Sequence, residues 1–398
     1  MNLTELNLNP KRPRLDWQMV VALLGLMLIG LAFIFSAKSG SEGVAWHDQF
    51  YARQFIWYLA GTVAAIVVCL IDYRYLSRYA VLAYWVAIAL LIGVLFFGSS
   101  AGGAKRWIDL GFFKLQPSEF AKLAFIFIMG HFLSRPAGEL RAPMIFLKGI
   151  GLTLLPFVLI LKEPDLGSAL VLIPIALVMM FVAGIPARYI IRLLGAAALL
   201  IGLLVVDVLF APDHWRIPLE DYQRHRLLVY FGRDFAPQNA SPEQRRRAQA
   251  LQRERSYQIE QALISVGSGG LTGKGWRQGQ QIALGYLPPG ASHNDFIFSV
   301  IAEEKGFLGS LVVLSLYAVV LLSGVRIANQ ARDPLGRLLA MGVVALLFSH
   351  VFVNIGMNIR LMPVTGIPLP LLSYGGSSVV CSLIAAGILQ NIHLHHRT

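Results

Sequence analysis

Two runs of nineteen residues, 79–97 and 307–325, contain no charged side chain. At about 1.5 Å of rise per residue, each is long enough as a helix to cross a ~30 Å hydrocarbon core. Eight further runs are predominantly apolar and of similar length, giving ten candidate spans: 17–35, 55–71, 79–97, 117–133, 144–161, 166–182, 193–210, 307–325, 338–359 and 371–392. In lipid every backbone N–H and C=O must be paired within the segment or around a closed barrel. No period-2 barrel pattern is present, so the chain reads as an all-α polytopic membrane protein. Its composition agrees, with 14% charged residues where a soluble domain carries about 25%.

Ten spans place both ends of the chain on one side of the membrane. Short connections and tails on that side hold thirteen Lys and Arg, and those on the other side hold seven. The positive-inside rule therefore puts both termini in the cytoplasm. The one long polar connection, 211–295, lies between spans seven and eight and becomes a large outer loop. Loops above ~60 residues translocate regardless of charge, so its eleven basic residues are left out of the count. The expected organisation is one integral membrane domain over 1–398, with cytoplasmic tails at 1–16 and 393–398. Lys11, Arg12 and Arg14 precede the first span as they would a secretory signal, but its apolar run is longer than a signal core and nine more spans follow. Net charge of +12 reads as topology plus a basic outer loop, with no nucleic-acid partner. Cys69 and Cys381 both fall inside apolar runs, which argues against a disulfide. No internal repeat is visible, which weakens the inverted-repeat transporter folds.

Four polar regions interrupt this apolar body, all on the outer side. The first is Lys105-Arg106-Trp107-Ile108-Asp109 followed by Gln116-Pro117-Ser118-Glu119-Phe120-Ala121-Lys122. Pro117 suits the first turn of a helix, and Glu119 and Lys122 then share a face at three-residue spacing. The plainest reading is an intrahelical ion pair, and the more productive one is a pair lining a hydrophilic cavity. The second region is Lys162-Glu163-Pro164-Asp165-Leu166-Gly167-Ser168. The third runs over 267–304, from a glycine-rich stretch containing Gly273-Lys274-Gly275-Trp276 to Asp295 and Glu303-Glu304. It has the composition of a phosphate cradle without the P-loop spacing; the expectation is a packed turn aiming amides and Lys274 at an anion. The fourth, 362–378, carries three prolines at 363, 368 and 370. Non-helical backbone at membrane depth survives only where it is buried in protein or lines a cavity. Ionisable groups in such places are costly and usually functional. Elsewhere, Asp207 and Lys148 read as snorkelling or supporting groups, the solvated helix expected over 242–261 as a polar surface, and His350 as a hydrogen-bonded packing residue. The tail residues His393, His395 and His396 read as solvated rather than metal-binding.

Together these motifs resemble the SEDS family (shape, elongation, division and sporulation), polytopic polymerases of peptidoglycan. The resemblance runs from Arg106-Trp107-Ile108 and Gln116–Lys122 through Glu163-Pro164-Asp165-Leu166-Gly167-Ser168-Ala169, Gly273-Lys274-Gly275-Trp276, Asp295-Phe296-Ile297-Phe298 and Glu303-Glu304 to Leu372-Ser373-Tyr374-Gly375-Gly376-Ser377, in the family's order. Val300-Ile301-Ala302-Glu303-Glu304 and Pro363-Val364-Thr365-Gly366-Ile367-Pro368-Leu369-Pro370 look like the elongation branch. Asn294, where threonine is common, and Arg360, where a small residue is usual, depart from the pattern and put fine substrate contacts in question. The 232–256 stretch is longer than usual.

The resemblance implies a ten-span enzyme of the bacterial cytoplasmic (inner) membrane that polymerises lipid II during cell elongation. Asp295, Glu119 and Lys122 are the implied catalytic residues. Arg106, Trp107, Glu163, Asp165, Lys274, Glu303, Glu304, Ser373 and Tyr374 are the implied substrate contacts. It also implies a class B penicillin-binding protein as crosslinking partner, alongside the undecaprenyl-linked glycan and the elongation machinery. No organic cofactor is implied; a divalent cation, Mg or Mn, is compatible with the chemistry, with its ligands left open. The chemistry fits: a hydroxyl nucleophile needs a carboxylate base, and a leaving pyrophosphate needs cations rather than a second acid. Residues 295–306 exceed what the 307–325 run needs to span, so they are expected to form a half-helix with Asp295 near its N-terminus, where the helix dipole favours a carboxylate. A lipid II flippase fits the same cavity and cations but calls for charged groups on both faces. A non-catalytic scaffold leaves Asp295 and the Glu119–Lys122 pair without a purpose.

Overall fold

The structure, a computed structural model, describes residues 15–37, 49–101, 104–109, 111, 114–210, 221–232, 235, 241–287 and 292–395. Most of the 1–16 tail, the 212–216 opening of the long connection and the last three residues lie outside the described residues. In chain order the elements are α1 (Trp17–Ala37), α2 (Phe50–Leu70), α3 (Tyr73–Arg78), α4 (Ala80–Phe97), β1 (Ser99–Ala101), β2 (Ala104–Asp109), β3 (Lys114–Leu115) and α5 (Pro117–Leu133). There follow α6 (Ala137–Leu140), α7 (Pro143–Lys162), α8 (Leu166–Ala183), α9 (Ala187–Phe210), α10 (Asp221–Phe231), α11 (Pro242–Ser268), α12 (Gln280–Ala283), α13 (Ile297–Gln330), α14 (Pro334–Asn358) and α15 (Gly376–His395).

Nine helices among the described residues are long and apolar enough to cross a membrane: α1, α2, α4, α7, α8, α9, α13, α14 and α15. The chain is a multi-pass, all-α membrane protein. The remaining expected span is α5, a helix of 17 residues, short of that length and polar at its first turn. It is nonetheless central, with Phe125, Ile126 and Met129 fully buried. α14 and α15 form the middle of the bundle, with 72% and 78% of their apolar windows buried. At the other extreme α9 has 6% buried, as befits a helix facing lipid.

Local chemistry fixes the ends that matter. Pro117 opens α5 at the position where a missing N–H costs nothing. Asp165 caps α8, accepting from the Ser168 amide at 3.1 Å. A three-stranded antiparallel sheet, in the order β1-β2-β3, sits between α4 and α5. Apolar periodicity alone gives no sign of it. Ser99 pairs with Trp107 and Asp109 with Lys114, so β2 is held from both sides.

The expected half-helix is present. α13 is interrupted at Gly306, whose φ of 64° and ψ of −160° end the first helical stretch and start the second. A break of this kind strands backbone groups that must find partners elsewhere. The glycine-rich turn supplies them. The amides of Lys274 and Gly275 donate to the carbonyls of Glu303 and Glu304, at 3.0 and 3.1 Å. The amides of Phe307 and Leu308 donate in return to the carbonyls of Gly270 and Leu271, at 2.9 and 3.1 Å. A Cβ on Gly306 would collide with the Gly273 amide, and one on Gly273 with the Glu304 carbonyl. The glycines are there because two backbones touch.

Candidate active site

The four polar regions do converge, as a chain of neighbouring clusters built around α5, α14 and the half-helix of α13.

The first cluster joins β2, the start of α5 and the α7–α8 connection. Asp165, 2% exposed, accepts from Gln116 Nε2 at 3.0 Å and lies 3.5 Å from Ser118 Oγ. Arg106 reaches it from β2 at 4.0 Å. Trp107, the next residue on the strand, alternates to the opposite side and is half-buried. Glu163 is fully buried, and neither of its carboxyl oxygens has a hydrogen-bond partner among the described residues. Burial, reinforced by the neighbouring Asp165 charge and only partly offset by Arg106, pushes its carboxyl up to about 8. Glu163 is therefore protonated at neutral pH and able to donate a hydrogen bond.

In the second cluster Glu119 and Lys122, 3% and 1% exposed, form the ion pair that their spacing predicts, at 2.8 Å. Lys122 also meets His350 Nε2 on α14 at 2.9 Å. The pair is thus intrahelical, but it is not confined to its own helix.

The third cluster holds Asp295, two residues before the first turn of α13. Its backbone carbonyl accepts from Asn354 and Asn358 of α14, at 3.0 and 3.1 Å. Its carboxylate, on a half-buried residue, lies beside Gly366, whose φ of 73° turns the proline-rich connection there; a Cβ at that glycine would sit 3.6 Å from Oδ2. Ser373 holds the same segment, donating to the Asn294 carbonyl at 2.6 Å and accepting from the Leu369 amide at 2.8 Å. Tyr374 donates its amide to the His293 carbonyl at 2.9 Å, and its ring packs edge-on to Phe50. In this structure, Ser373 and the Tyr374 backbone fix the loop around Asp295.

The fourth cluster answers what the glycine-rich turn is for. The anion that Lys274 meets is Glu303, at 2.7 Å. The same carboxylate accepts from the Gln280 and Gln281 amides at 2.8 and 3.2 Å and from Ser265 at 3.0 Å. Glu304 accepts from Ser36 of α1 at 2.5 Å. Lys274 and Glu303 therefore fasten the outer loop to the half-helix, in place of the cradle for an external anion expected from the sequence.

Sequence reasoning passed over Asn354 and Asn358, and left His350 as packing. Their regular four-residue spacing on α14 was the available signal. Among the described residues, no group of three or more His, Cys, Asp or Glu converges as a metal cage. A magnesium or manganese ion held through one or two carboxylates and substrate phosphates would need no such cage.

Known proteins resemble this chain along nearly its whole length. The family model FTSW_RODA_SPOVE, described as cell cycle protein, matches residues 16–398. The peptidoglycan glycosyltransferase MrdB of Escherichia coli K12 is 35% identical over 385 residues, 96% of this chain and 94% of that one. The peptidoglycan glycosyltransferase RodA of Treponema pallidum is 33% identical, covering 95% of this chain and 97% of its own. A solved structure described as structural coordination of polymerization and crosslinking by a peptidoglycan synthase complex superposes with a TM-score of 0.76 at 27% identity, over 96% of this chain and 98% of that chain.

Proposed function

Because the chain belongs to the FtsW, RodA and SpoVE family of cell-cycle proteins and is a peptidoglycan glycosyltransferase, we propose that it polymerises lipid II into glycan strands on the outer face of the bacterial inner membrane during cell elongation. Both termini then face the cytoplasm, in line with the excess of basic residues on that side. The 4-hydroxyl of one precursor attacks the anomeric carbon of the other, the bond to undecaprenyl pyrophosphate breaks, and the hydroxyl proton passes to Asp295. An α-linked precursor becomes a β-linked strand, so one in-line displacement with inversion accounts for the product. Lys122 and Arg106 meet the charge that develops on the leaving pyrophosphate. Protonated Glu163, beside Arg106 and Asp165, donates a hydrogen bond to a substrate oxygen.

The observation that carries this reading is the placement of Asp295. Its backbone is clamped by two α14 amides while its carboxylate stays on a half-buried residue at the mouth of a half-helix. A base needs both that rigidity and that access. The test is glycan synthesis from lipid II by purified protein with its crosslinking partner, moenomycin being present to silence unrelated glycosyltransferases. Asp295→Asn is expected to abolish polymerisation while membrane insertion persists. A base contributes ~10²–10⁴-fold, so retention of more than ~10% of the wild-type rate would sink the assignment.

A further inference from the structure

α14 is apolar along most of its length, yet it carries His350, Asn354 and Asn358 at four-residue spacing. Four residues make slightly more than one turn, so the three lie along one face about 6 Å apart. All are buried, at 3%, 0% and 0% exposure. Polar groups in a membrane helix are expensive and face the protein interior, and each of these has a definite partner. Asn354 and Asn358 hold the Asp295 carbonyl, and Asn354 also donates to the Ile367 carbonyl at 2.7 Å. His350 has one hydrogen-bonding partner among the described residues, the Lys122 ammonium at 2.9 Å.

An ammonium offers only donors, so the imidazole nitrogen facing it is the acceptor and the ring proton sits on Nδ1. Lys122 is thereby held between two acceptors on different helices, Glu119 on α5 and His350 on α14. Its third N–H is left to point elsewhere. A four-carbon stem is otherwise free to place its charge in many positions; two acceptors fix the head.

We propose that His350 is a positioning residue for glycosyl transfer. It stations the Lys122 ammonium on the same α14 face whose Asn354 and Asn358 station Asp295, so that one helix sets the separation between the cation and the base. The inference rests on the roles given above to Lys122 and Asp295, and adds what keeps them in register. A histidine that only filled space in an apolar helix would have no reason to spend its acceptor nitrogen on a lysine from another span.

The test measures kcat and KM for lipid II polymerisation in nanodiscs containing the partner, for wild type, His350→Met, His350→Gln and Lys122→Met. It adds the double variant His350→Met with Lys122→Met, and thermal unfolding of each protein. Misplacement of a reacting group by about 1 Å costs up to ~10²-fold, so His350→Met is expected to lower kcat ~10–100-fold with KM changed less than ~3-fold. His350→Gln, whose amide oxygen can accept from Lys122, is expected within ~3-fold of wild type. In the Lys122→Met background, His350→Met is expected to cost nothing further, because its effect passes through that lysine. Wild-type turnover by His350→Met overturns the inference. So does equal loss in the Met and Gln variants, which marks a packing role, or an undiminished loss in the Lys122→Met background. If the methionine variant fails to fold, His350→Asn replaces it; too short to reach Lys122, it should fail in turnover where glutamine succeeds. Wild-type turnover by Lys122→Met itself defeats the proposed function instead, so the two failures are distinguishable.

Discussion

Among the described residues two lysine–glutamate pairs have nearly identical length, one wholly buried and one with its lysine half-buried, and they differ in what surrounds them. Lys274 and Glu303 meet at 2.7 Å, Lys122 and Glu119 at 2.8 Å. Glu303 is richly bonded: besides the lysine it takes two backbone amides and a serine hydroxyl. Both of its oxygens have partners inside the protein, and together they hold the loop to the half-helix. Glu119 has Lys122 as its only hydrogen-bonding partner among the described residues, and the lysine is shared with a histidine from another span. A carboxylate sealed away from water is costly unless its lone pairs are met. Glu303 meets that requirement without help, whereas Glu119 and Lys122 keep valences for something that arrives. Distance alone would have placed the two pairs in one class; the count of satisfied partners separates them.

The sharpest way to break the comparison is to remove each lysine. Lys122→Met is expected to reduce polymerisation ~100-fold or more, the usual loss for a group that stabilises developing charge. Lys274→Met is expected to cost less than ~10-fold in rate but to lower the unfolding midpoint by ~3 °C or more, since it leaves a buried carboxylate short of its cation. The charge swap separates them further. Glu119→Lys with Lys122→Glu should not restore activity, because His350 requires a donor at position 122 and receives an acceptor instead. Recovery of most of the activity in the swap would return that pair to a purely structural role.

The second comparison concerns control. The loop fastened by Glu303 lies on the outer side and packs directly on the helix that begins after Asp295, which makes it the natural place for a partner to press. A class B penicillin-binding protein that binds one arrangement of this loop better than another would shift the population toward it. Polymerisation by the chain alone is expected to rise ~10-fold with the cognate partner, about 1.4 kcal/mol of coupling, and the gain should survive a β-lactam that blocks the partner's transpeptidase serine. In Lys274→Met the loop is less firmly coupled to the half-helix, and the gain should shrink to ~3-fold or less. Equal rates with and without partner at saturating lipid II would leave the loop a fastening and nothing more.

How much of this was legible in the sequence follows from where each constraint originates. Lipid imposes its rule on every residue of a span, so the apolar runs locate the long helices, with ends such as those of α2, α9 and α15 displaced by five or six residues. The half-helix was visible as surplus length before residue 307, and Gly306 is where the surplus ends. The β1–β3 sheet was hidden because its strands of three, six and two residues are too short to show a period. The site was legible as an inventory and illegible as a wiring diagram. Asp295, Glu119, Lys122, Glu163 and Asp165 stood out as charges beside apolar runs. That Lys274 belongs to Glu303, 29 residues later, and that Lys122 belongs to His350, 228 residues later, are facts of packing with no local trace. A lone histidine in an apolar helix reads as filler until the helix opposite is known.

A third buried acid, Glu163, sharpens the comparison from the other side, being a carboxyl with no hydrogen-bond partner among the described residues. Such a group escapes the cost of burial by keeping its proton, and its carboxyl is raised to about 8, chiefly by burial and then by Asp165. An unfolded chain releases that proton near the ordinary glutamate value of about 4.3. Between those two values the native state binds a proton that the unfolded state has lost, so stability falls as pH rises through the window. The contribution is fully present below about pH 4 and gone above the folded value near 8. Glu163→Gln, neutral at every pH, should remove this slope. Its unfolding midpoint is expected to match wild type near pH 4 and to exceed it by ~2 °C or more near pH 8.5, with polymerisation at pH 7 within ~3-fold of wild type because the protonated form is the one being mimicked. If wild type and variant lose stability in parallel over that range, Glu163 is ionised in the folded protein, and the cluster of Arg106 and Asp165 holds a second negative charge rather than a hydrogen-bond donor.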